Sequence, residues 1–221
     1  MKNHKSLILQ TIIAILGTIA GLITVIAFNQ HVLMNMSLLL RIIFMIVSYW
    51  LIAIVPMIIM FLAKDSLKDY GFTKDHLIQQ IGIGILIALC LSFLFTVLPH
   101  LAGKGDWVNN GHDYEFLWQF LYDFLYYILA IALVEEFIFR GFLLQKLKQI
   151  TNSSLVAILG SSILFGLFHL ASGNIIQLFT TTILGIILAL CKERIKNCTL
   201  LSVIIAHGVY DALITVWLWV F

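Results

Sequence analysis

Six of the ionisable side chains that lie within apolar, bilayer-length stretches of the second half of the chain could share one chemistry. They stand in three short segments, LVEEFIFRGF, FGLFHL and HGVYD, and are Glu135, Glu136, Arg140, His169, His207 and Asp211. Carboxyl and imidazole groups are the side chains that most often transfer protons in enzymes. A charged group at mid-bilayer costs about 2.5–3.5 kcal/mol on insertion scales, so a cluster of such groups indicates a functional site.

The spacing of these residues indicates which of them pair. Glu136 and Arg140 are four residues apart with the acid first, which places them on one helix face as a structural ion pair. Glu135 points about 100° away from Glu136 on a helix of 3.6 residues per turn, and it is therefore available to a different partner. His207 and Asp211 are also four residues apart and share one face of their helix.

The chemistry suited to this set is hydrolysis. A carboxylate that accepts a proton from water, together with two imidazoles and a second acid, fits general acid–base catalysis. The same groups fit a zinc-bound water, with His169, His207 and Asp211 as the ligands, because imidazoles and carboxylates bind catalytic zinc. A nucleophilic serine is not indicated, since the sequence has no G-x-S-x-G motif; it also lacks the H-E-x-x-H pattern of zinc proteases.

The elements that must position these residues are apolar helices. The sequence is 62% hydrophobic and 11% charged, with a mean hydropathy of +1.05, far from the composition of soluble domains. A helix needs roughly 20 apolar residues to cross the hydrocarbon core. The qualifying segments are 7–28, 38–63, 78–98, 116–140, 153–171, 174–193 and 199–220. We therefore predict an all-α integral membrane protein with about seven transmembrane helices, surrounded by a lipid bilayer and without a nucleic-acid partner.

The distribution of basic residues predicts an inside N-terminus and an outside C-terminus. In that orientation the inner connections hold Lys2, Lys5, Lys64, Lys68, Lys74, Lys146, Lys148, Lys192, Arg194 and Lys196. The outer side holds Arg41 and Lys104, which agrees with the positive-inside rule. The excess of lysine over arginine is typical of low-GC bacteria, so we predict a multi-pass protein of a bacterial plasma membrane.

The titratable groups can be placed at one depth in these helices. Glu135 and His169 lie on either side of the inner turn near residue 151, and His207 and Asp211 follow the inner turn near residue 197. At about 1.5 Å per residue, all four lie roughly 15–27 Å from the inner side, so one shared site is geometrically allowed. The short connection SGN between the fifth and sixth helices predicts a tight antiparallel hairpin.

Three ordered segments of the second half resemble the motifs of a protease family. EEFIFR, FGLFH and HGVYD resemble the E-E-x-x-x-R, F-x-x-x-H and H-x-x-x-[ND] motifs of the CPBP family. These are the CAAX-processing and bacteriocin-processing intramembrane proteases, also called the Abi or Rce1-like family. The resemblance implies a catalytic core of four transmembrane helices at 116–221, preceded by three transmembrane helices and their loops at 1–115.

The resemblance also implies an intramembrane endopeptidase that cuts near the C-terminus of its substrate. It implies that Glu135 and His169 activate the water. His207 and Asp211 would stabilise the oxyanion or hold the water, and Glu136 and Arg140 would support these groups. Many relatives have asparagine where this chain has Asp211. An aspartic acid can donate a hydrogen bond when protonated, whereas an ionised aspartate suits a metal better.

The predicted substrate is a short peptide or the end of a membrane protein. Prenylated CAAX proteins are not expected in a bacterium, and small bacterial members of the family resemble bacteriocin-immunity or peptide-processing proteins. Two other functions stay open. One is a non-catalytic membrane receptor or immunity protein that sequesters a peptide, and the other is a bis-histidine haem or ion-translocating protein that uses His169 and His207.

Overall fold

The structure, a computed structural model, describes residues 4–108, 112–170 and 175–218, which form helices and turns without a strand. Seven helices can be followed in these parts of the chain. They are α1 His4–His31, α2 Leu38–Leu62, α3 Leu77–Leu101, α4 at 117–151, α5 Ser154–His169, α6 Ile175–Arg194 and α7 Leu200–Leu218. Each helix overlaps one of the segments predicted from the apolar runs, and the all-α membrane bundle is confirmed.

Several of these helices meet the requirements for crossing a membrane. By length and composition, α1, α2, α3, α6 and α7 are long and apolar enough, and α5 is a shorter apolar helix of 16 residues. The number of seven spans and the inside position of the N-terminus stay predictions. The SGN connection between α5 and α6 lies outside the described residues.

Two helices change their hydrogen-bonding pattern shortly before a proline. In α2 a 3₁₀ turn at Trp50–Ala53 precedes Pro56, and in α3 a π-helical turn at Phe93–Val97 precedes Pro99. Proline has no N–H to donate, and its ring clashes with the carbonyl four residues back, so the preceding turn must adjust. The tightened turn in α2 comes directly after Tyr49, which reaches the site described below.

Helix α4 runs through the middle of the bundle. Residues 134–144 are all buried, because α1, α2, α5 and α7 pack around α4. A helix that is buried on every face can carry charged side chains without presenting them to lipid. Its hydrogen bonding switches to the π pattern at Tyr127–Ala132 and again at Phe137–Leu143. Such turns occur frequently at functional sites, and these two lie on either side of the glutamate pair.

Glycines let the helices approach closely beside the motif histidines. A Cβ atom on Gly208 of α7 would lie 3.0 Å from the Cα atom of Ile128 on α4. A Cβ atom on Gly166 of α5 would lie 2.8 Å from the carbonyl oxygen of Leu178 on α6. Small residues at such crossings allow backbone-to-backbone contact between membrane helices. The two glycines therefore fix how near the histidine-bearing helices come to their neighbours.

Candidate active site

The three motifs meet in the interior of the bundle. Glu135 and Glu136 come from α4, His169 from the last turn of α5, and His207 and Asp211 from α7. The glutamates are almost fully buried, with exposed fractions of 2% for Glu135 and 0% for Glu136. The side chains of His169 and Asp211 are 18% and 21% exposed. The residues predicted to share one site therefore do lie together, with the two glutamates innermost.

Glu136 and Arg140 form the predicted ion pair. The Nη1 atom of Arg140 donates a hydrogen bond of 2.8 Å to Oε1 of Glu136, and both side chains are fully buried. The guanidinium group also lies over the ring of Phe165, with 4.0 Å between its Cζ atom and the ring centroid. The backbone carbonyl of Arg140, within the second π turn, accepts a hydrogen bond of 2.9 Å from Nζ of Lys192. The charge of this pair is thus neutralised within the protein.

His207 is oriented by the same carboxylate. Its Nδ1 atom lies 2.8 Å from Oε1 of Glu136. Because a carboxylate accepts hydrogen bonds, Nδ1 is the donor. The other ring nitrogen, Nε2, lies 3.4 Å from Oδ2 of Asp211 and 3.9 Å from Oε2 of Glu135. The ring is therefore held by Glu136 on one side and presents Nε2 to the other two carboxyl groups.

His169 is oriented by its own helix. Its Nδ1 atom lies 3.0 Å from the carbonyl oxygen of Phe165, one turn earlier. A carbonyl oxygen accepts hydrogen bonds, so Nδ1 carries the hydrogen and Nε2 is left to face the site. Nε2 of His169 lies 3.8 Å from Oε2 of Glu135. The Phe165 ring packs edge-on against both imidazoles, with centroid distances of 4.5 Å to His169 and 5.9 Å to His207.

The two oxygens of Glu135 have different surroundings. Oε1 accepts a hydrogen bond from the hydroxyl group of Tyr49 on α2. Oε2 is buried and has no hydrogen-bond partner among the described residues. It faces Nε2 of both His169 and His207, at distances too long for direct hydrogen bonds. One carboxylate oxygen is therefore fixed, and the other is directed between two imidazoles.

A cavity of about 640 Å³ lies beside this cluster of side chains. His169, His207 and Asp211 line it, together with apolar side chains of α3, α4, α6 and α7. Residues of the connection between α3 and α4 also line it, among them Trp107 and His112. Its volume falls within the usual range for ligand-binding pockets, about 300–1,000 Å³.

Comparison with known families agrees with this geometry. Residues 116–213 match the family model described as type II CAAX prenyl endopeptidase, Rce1-like. The second half of the chain is Rce1-like. The matched region contains all three motifs, whereas α1, α2 and α3 precede it. No curated protein and no solved structure matches the chain. The matched residues are thus similar to those of CAAX-protease-like intramembrane peptidases, a class that acts on peptide or protein substrates within a lipid bilayer.

The connection between α3 and α4 is hydrogen-bonded to the helices near the cavity. The backbone N–H of His112 donates a hydrogen bond of 3.3 Å to Oγ1 of Thr215 on α7. The hydroxyl group of Tyr114 donates a hydrogen bond of 2.6 Å to Oδ2 of Asp123 on α4. Burial and the neighbouring carboxylate raise the pKa of Tyr114 above its usual value, which keeps the phenol protonated as a donor. This connection is therefore attached to α4 and α7, two of the three helices that carry motif residues.

Sequence reasoning did not identify Tyr49 or His112 as part of the site. Tyr49 lies in an apolar run, and a buried phenol normally requires a hydrogen-bond partner. That requirement indicates a polar contact but not the acceptor, which is 86 residues away in the sequence. His112 stands in a loop, where a histidine carries no spacing signal.

The side chains of the Rce1-like site are of the types that bind zinc, since imidazoles and carboxylates are its ligands in enzymes. Within residues 4–108, 112–170 and 175–218, however, no group of three or more histidine, cysteine, aspartate or glutamate side chains is arranged to hold a metal ion. The zinc site predicted at His169, His207 and Asp211 therefore stays a prediction. The reaction steps below use the groups of the chain itself.

Proposed function

We propose that this protein is an intramembrane endopeptidase in which Glu135 activates the hydrolytic water. The observation that carries the proposal is the placement of Oε2 of Glu135. This buried carboxylate oxygen lies 3.8 Å from Nε2 of His169 and 3.9 Å from Nε2 of His207. Separations of this size are spanned by one bridging water molecule. Residues 116–221 would form the catalytic core, as the Rce1-like match supports.

In the first step Glu135 acts as the general base. A water molecule bonded to Oε2 of Glu135 and Nε2 of His169 attacks the carbonyl carbon of the scissile peptide bond, and its proton passes to Glu135. The new C–O bond turns the carbonyl oxygen into an oxyanion. His207 in its imidazolium form and Asp211 in its protonated form donate hydrogen bonds to that oxyanion from the cavity wall.

In the second step Glu135 acts as the general acid. The tetrahedral intermediate collapses, the C–N bond breaks, and the proton held by Glu135 passes to the leaving amine. The products are a free amine and a carboxylic acid, which loses its proton to solvent and becomes a carboxylate, and Glu135 returns to its ionised form. Glu136 and Arg140 hold His207 in place throughout, since Glu136 accepts from both of them.

The proposed substrate is a short peptide or the C-terminal end of a membrane protein. The cavity is of a size that holds a small ligand or a short peptide segment, and polar side chains of α6 such as Thr180 and Thr181 form part of its wall. The proposed cellular role is bacteriocin immunity or peptide processing at a bacterial plasma membrane, and it rests on the family resemblance.

Cleavage of a peptide library by the purified full-length protein tests the proposed activity. The library contains internally quenched peptides, both unmodified and prenylated at a C-terminal CAAX sequence, presented in detergent micelles. In water enriched with ¹⁸O, cleavage by hydrolysis places one ¹⁸O atom in each new carboxylate, which mass spectrometry detects. The Glu135→Gln variant keeps the size of the side chain and removes the base, so kcat/KM should fall by roughly a hundredfold or more.

The matched control for this experiment is Glu115→Gln, which changes an exposed carboxylate directly before the Rce1-like region and should leave turnover at the wild-type level. Undiminished cleavage by Glu135→Gln would contradict the proposed base. Peptide binding without cleavage by the wild type would instead support a receptor that sequesters a peptide.

Metal removal separates glutamate-activated hydrolysis from zinc hydrolysis. Turnover by protein dialysed against 1,10-phenanthroline should persist if Glu135 with His169 activates the water. Turnover that is lost on dialysis and restored by Zn²⁺ would overturn the glutamate mechanism and make His169, His207 and Asp211 the ligands to test.

A further inference from the structure

The carboxylate of Glu135 is held from outside the Rce1-like region. Its Oε1 atom accepts the hydroxyl hydrogen of Tyr49, a residue of α2 in the first half of the chain. Its Oε2 atom is the one directed at the two imidazoles. Helix α4 supplies the carboxylate, but a hydrogen bond from a different helix fixes the orientation of its plane, with one oxygen at the phenol and the other towards the histidines.

Without such a contact the orientation of a carboxylate plane is weakly determined. The terminal torsion of a glutamate side chain is broad, so the plane of the carboxylate turns at little cost. A hydrogen bond from a phenol to one oxygen removes that freedom. With Oε1 bonded to Tyr49, Oε2 keeps a fixed direction towards His169 and His207.

Tyr49 is itself held in place by its neighbours. It ends the α-helical part of α2, directly before the 3₁₀ turn at Trp50–Ala53. Helix α1 lies against that turn, since a Cβ atom on Gly21 would come within 2.7 Å of the Cα atom of Ile52. The ring of Tyr126 on α4 packs edge-on against Tyr49, with 6.2 Å between the centroids. The hydroxyl group is therefore presented to Glu135 by a packed backbone rather than by a loop.

We propose that Tyr49 is a positioning residue that fixes the carboxylate of Glu135 for the attack of water, so that α1 and α2 take part in forming the active site. This inference rests on the proposed endopeptidase function. Tyr49 does not line the cavity within the described residues, so it acts on the reaction through Glu135 and not by touching the substrate.

The test compares two tyrosine-to-phenylalanine variants of the full-length protein, Tyr49→Phe and Tyr122→Phe. Each removes one hydroxyl group from the interface between α2 and α4. The hydroxyl group of Tyr122 donates a hydrogen bond of 2.8 Å to the backbone carbonyl of Ile42 instead of to a carboxylate. The substrate is the peptide that the library experiment identifies. Tyr49→Phe should lower kcat roughly tenfold or more with KM changed less than about twofold, whereas Tyr122→Phe should leave both near wild type.

A second measurement does not depend on proteolysis. Dicyclohexylcarbodiimide modifies carboxyl groups in apolar surroundings, and its attachment to Glu135 can be followed by mass spectrometry of protein in native membranes. Without the Tyr49 hydroxyl group, Oε1 is no longer occupied, and Glu135 should be labelled roughly severalfold faster in Tyr49→Phe than in Tyr122→Phe or the wild type.

The two measurements separate the failure of this inference from the failure of the proposed function. If no peptide is cleaved but labelling accelerates in Tyr49→Phe alone, the contact to Glu135 stands and the protease assignment fails. If Tyr49→Phe and Tyr122→Phe lower kcat equally, or if labelling is the same in both, the positioning role is overturned.

Discussion

At the scale of single residues, the site combines one neutralised ion pair with one carboxylate available for chemistry. Glu136 accepts hydrogen bonds from Arg140 and His207, so it both neutralises the charge of Arg140 and orients an imidazole. Glu135, the adjacent residue, is bonded through one oxygen and leaves the other to face the histidines. Two neighbouring glutamates thus have different roles because consecutive helical residues point in different directions.

Removing one member of the buried ion pair of Glu136 and Arg140 should destabilise the protein strongly, whereas replacing both members should destabilise it much less. Glu136→Leu leaves the Arg140 charge buried without its partner, and the free energy of unfolding should fall by about 3–5 kcal/mol. The double variant Glu136→Leu with Arg140→Met removes both charges and should regain most of that loss. Thermal unfolding of the purified proteins in detergent measures both. A double variant as unstable as the single one would show that the pair does more than cancel charge.

Replacement of Asp211 tests the hydrogen-bonding role proposed for it. Asp211→Asn keeps a donor in the same place and should retain kcat/KM within about tenfold, whereas Asp211→Ala removes the donor and should lose roughly a hundredfold. Both rates are measured on the peptide that the wild type cleaves. Equal loss in the two variants would indicate that the charge of Asp211 is required.

At the scale of secondary structure, the helices bring the motifs together by approaching one another at glycines. Gly208, beside His207, lies against the backbone of α4, and Gly84 of α3 lies against α7. Helix α4 departs from regular α-helical hydrogen bonding on both sides of its glutamates. The positions of the functional groups therefore depend on backbone details of α3, α4 and α7 that are not part of the motifs.

Two glycines of α3 provide a matched test of this packing. A Cβ atom on Gly84 would lie 2.6 Å from the carbonyl oxygen of Ser202 on α7, whereas one on Gly82 would have nothing within 4 Å. Gly84→Ala should therefore destabilise the protein by about 1–3 kcal/mol through overpacking. Gly82→Ala should stabilise it by up to about 1 kcal/mol, because alanine favours the helix. Thermal unfolding compares the two, and equal midpoints would contradict the close contact between α3 and α7.

At the scale of the whole molecule, the first three helices and the Rce1-like region pack as one bundle. Helix α3 lies along α7, and α1 and α2 lie against α4. The division at residue 115 stays a prediction about the extent of the catalytic core. The contact from Tyr49 to Glu135 crosses that division, so the first half is expected to contribute to the active site as well as to anchoring.

The proposed orientation in the membrane can be measured with single-cysteine variants. The native thiols Cys90, Cys191 and Cys198 are first replaced by serine, and a cysteine is then placed in an exposed connection. With the N-terminus inside, a membrane-impermeant maleimide should label Lys104→Cys in intact cells. It should label Lys196→Cys only after permeabilisation. The reverse pattern would place the N-terminus outside. The end of the cavity that Trp107 lines would then face the cytoplasm.

The sequence by itself determined where the helices lie and predicted which titratable residues of the second half come together. Apolar runs of about 20 residues fix where helices can cross a bilayer, because backbone polar groups in lipid must be bonded internally. The four-residue spacing of Glu136 with Arg140 predicted their ion pair, since residues four apart share a helix face. The cost of charge in a membrane indicated that the remaining titratable residues belong together.

Only the tertiary structure decided how the groups of the site are oriented. The contact from Tyr49 to Glu135, the bond from His207 to Glu136 and the position of His112 beside the cavity join helices and loops that are far apart in the sequence. Periodicity describes the faces of one helix, but it does not say which faces meet. Which faces meet depends on the close packing of whole helices around α4, and all of the buried surfaces contribute to this packing.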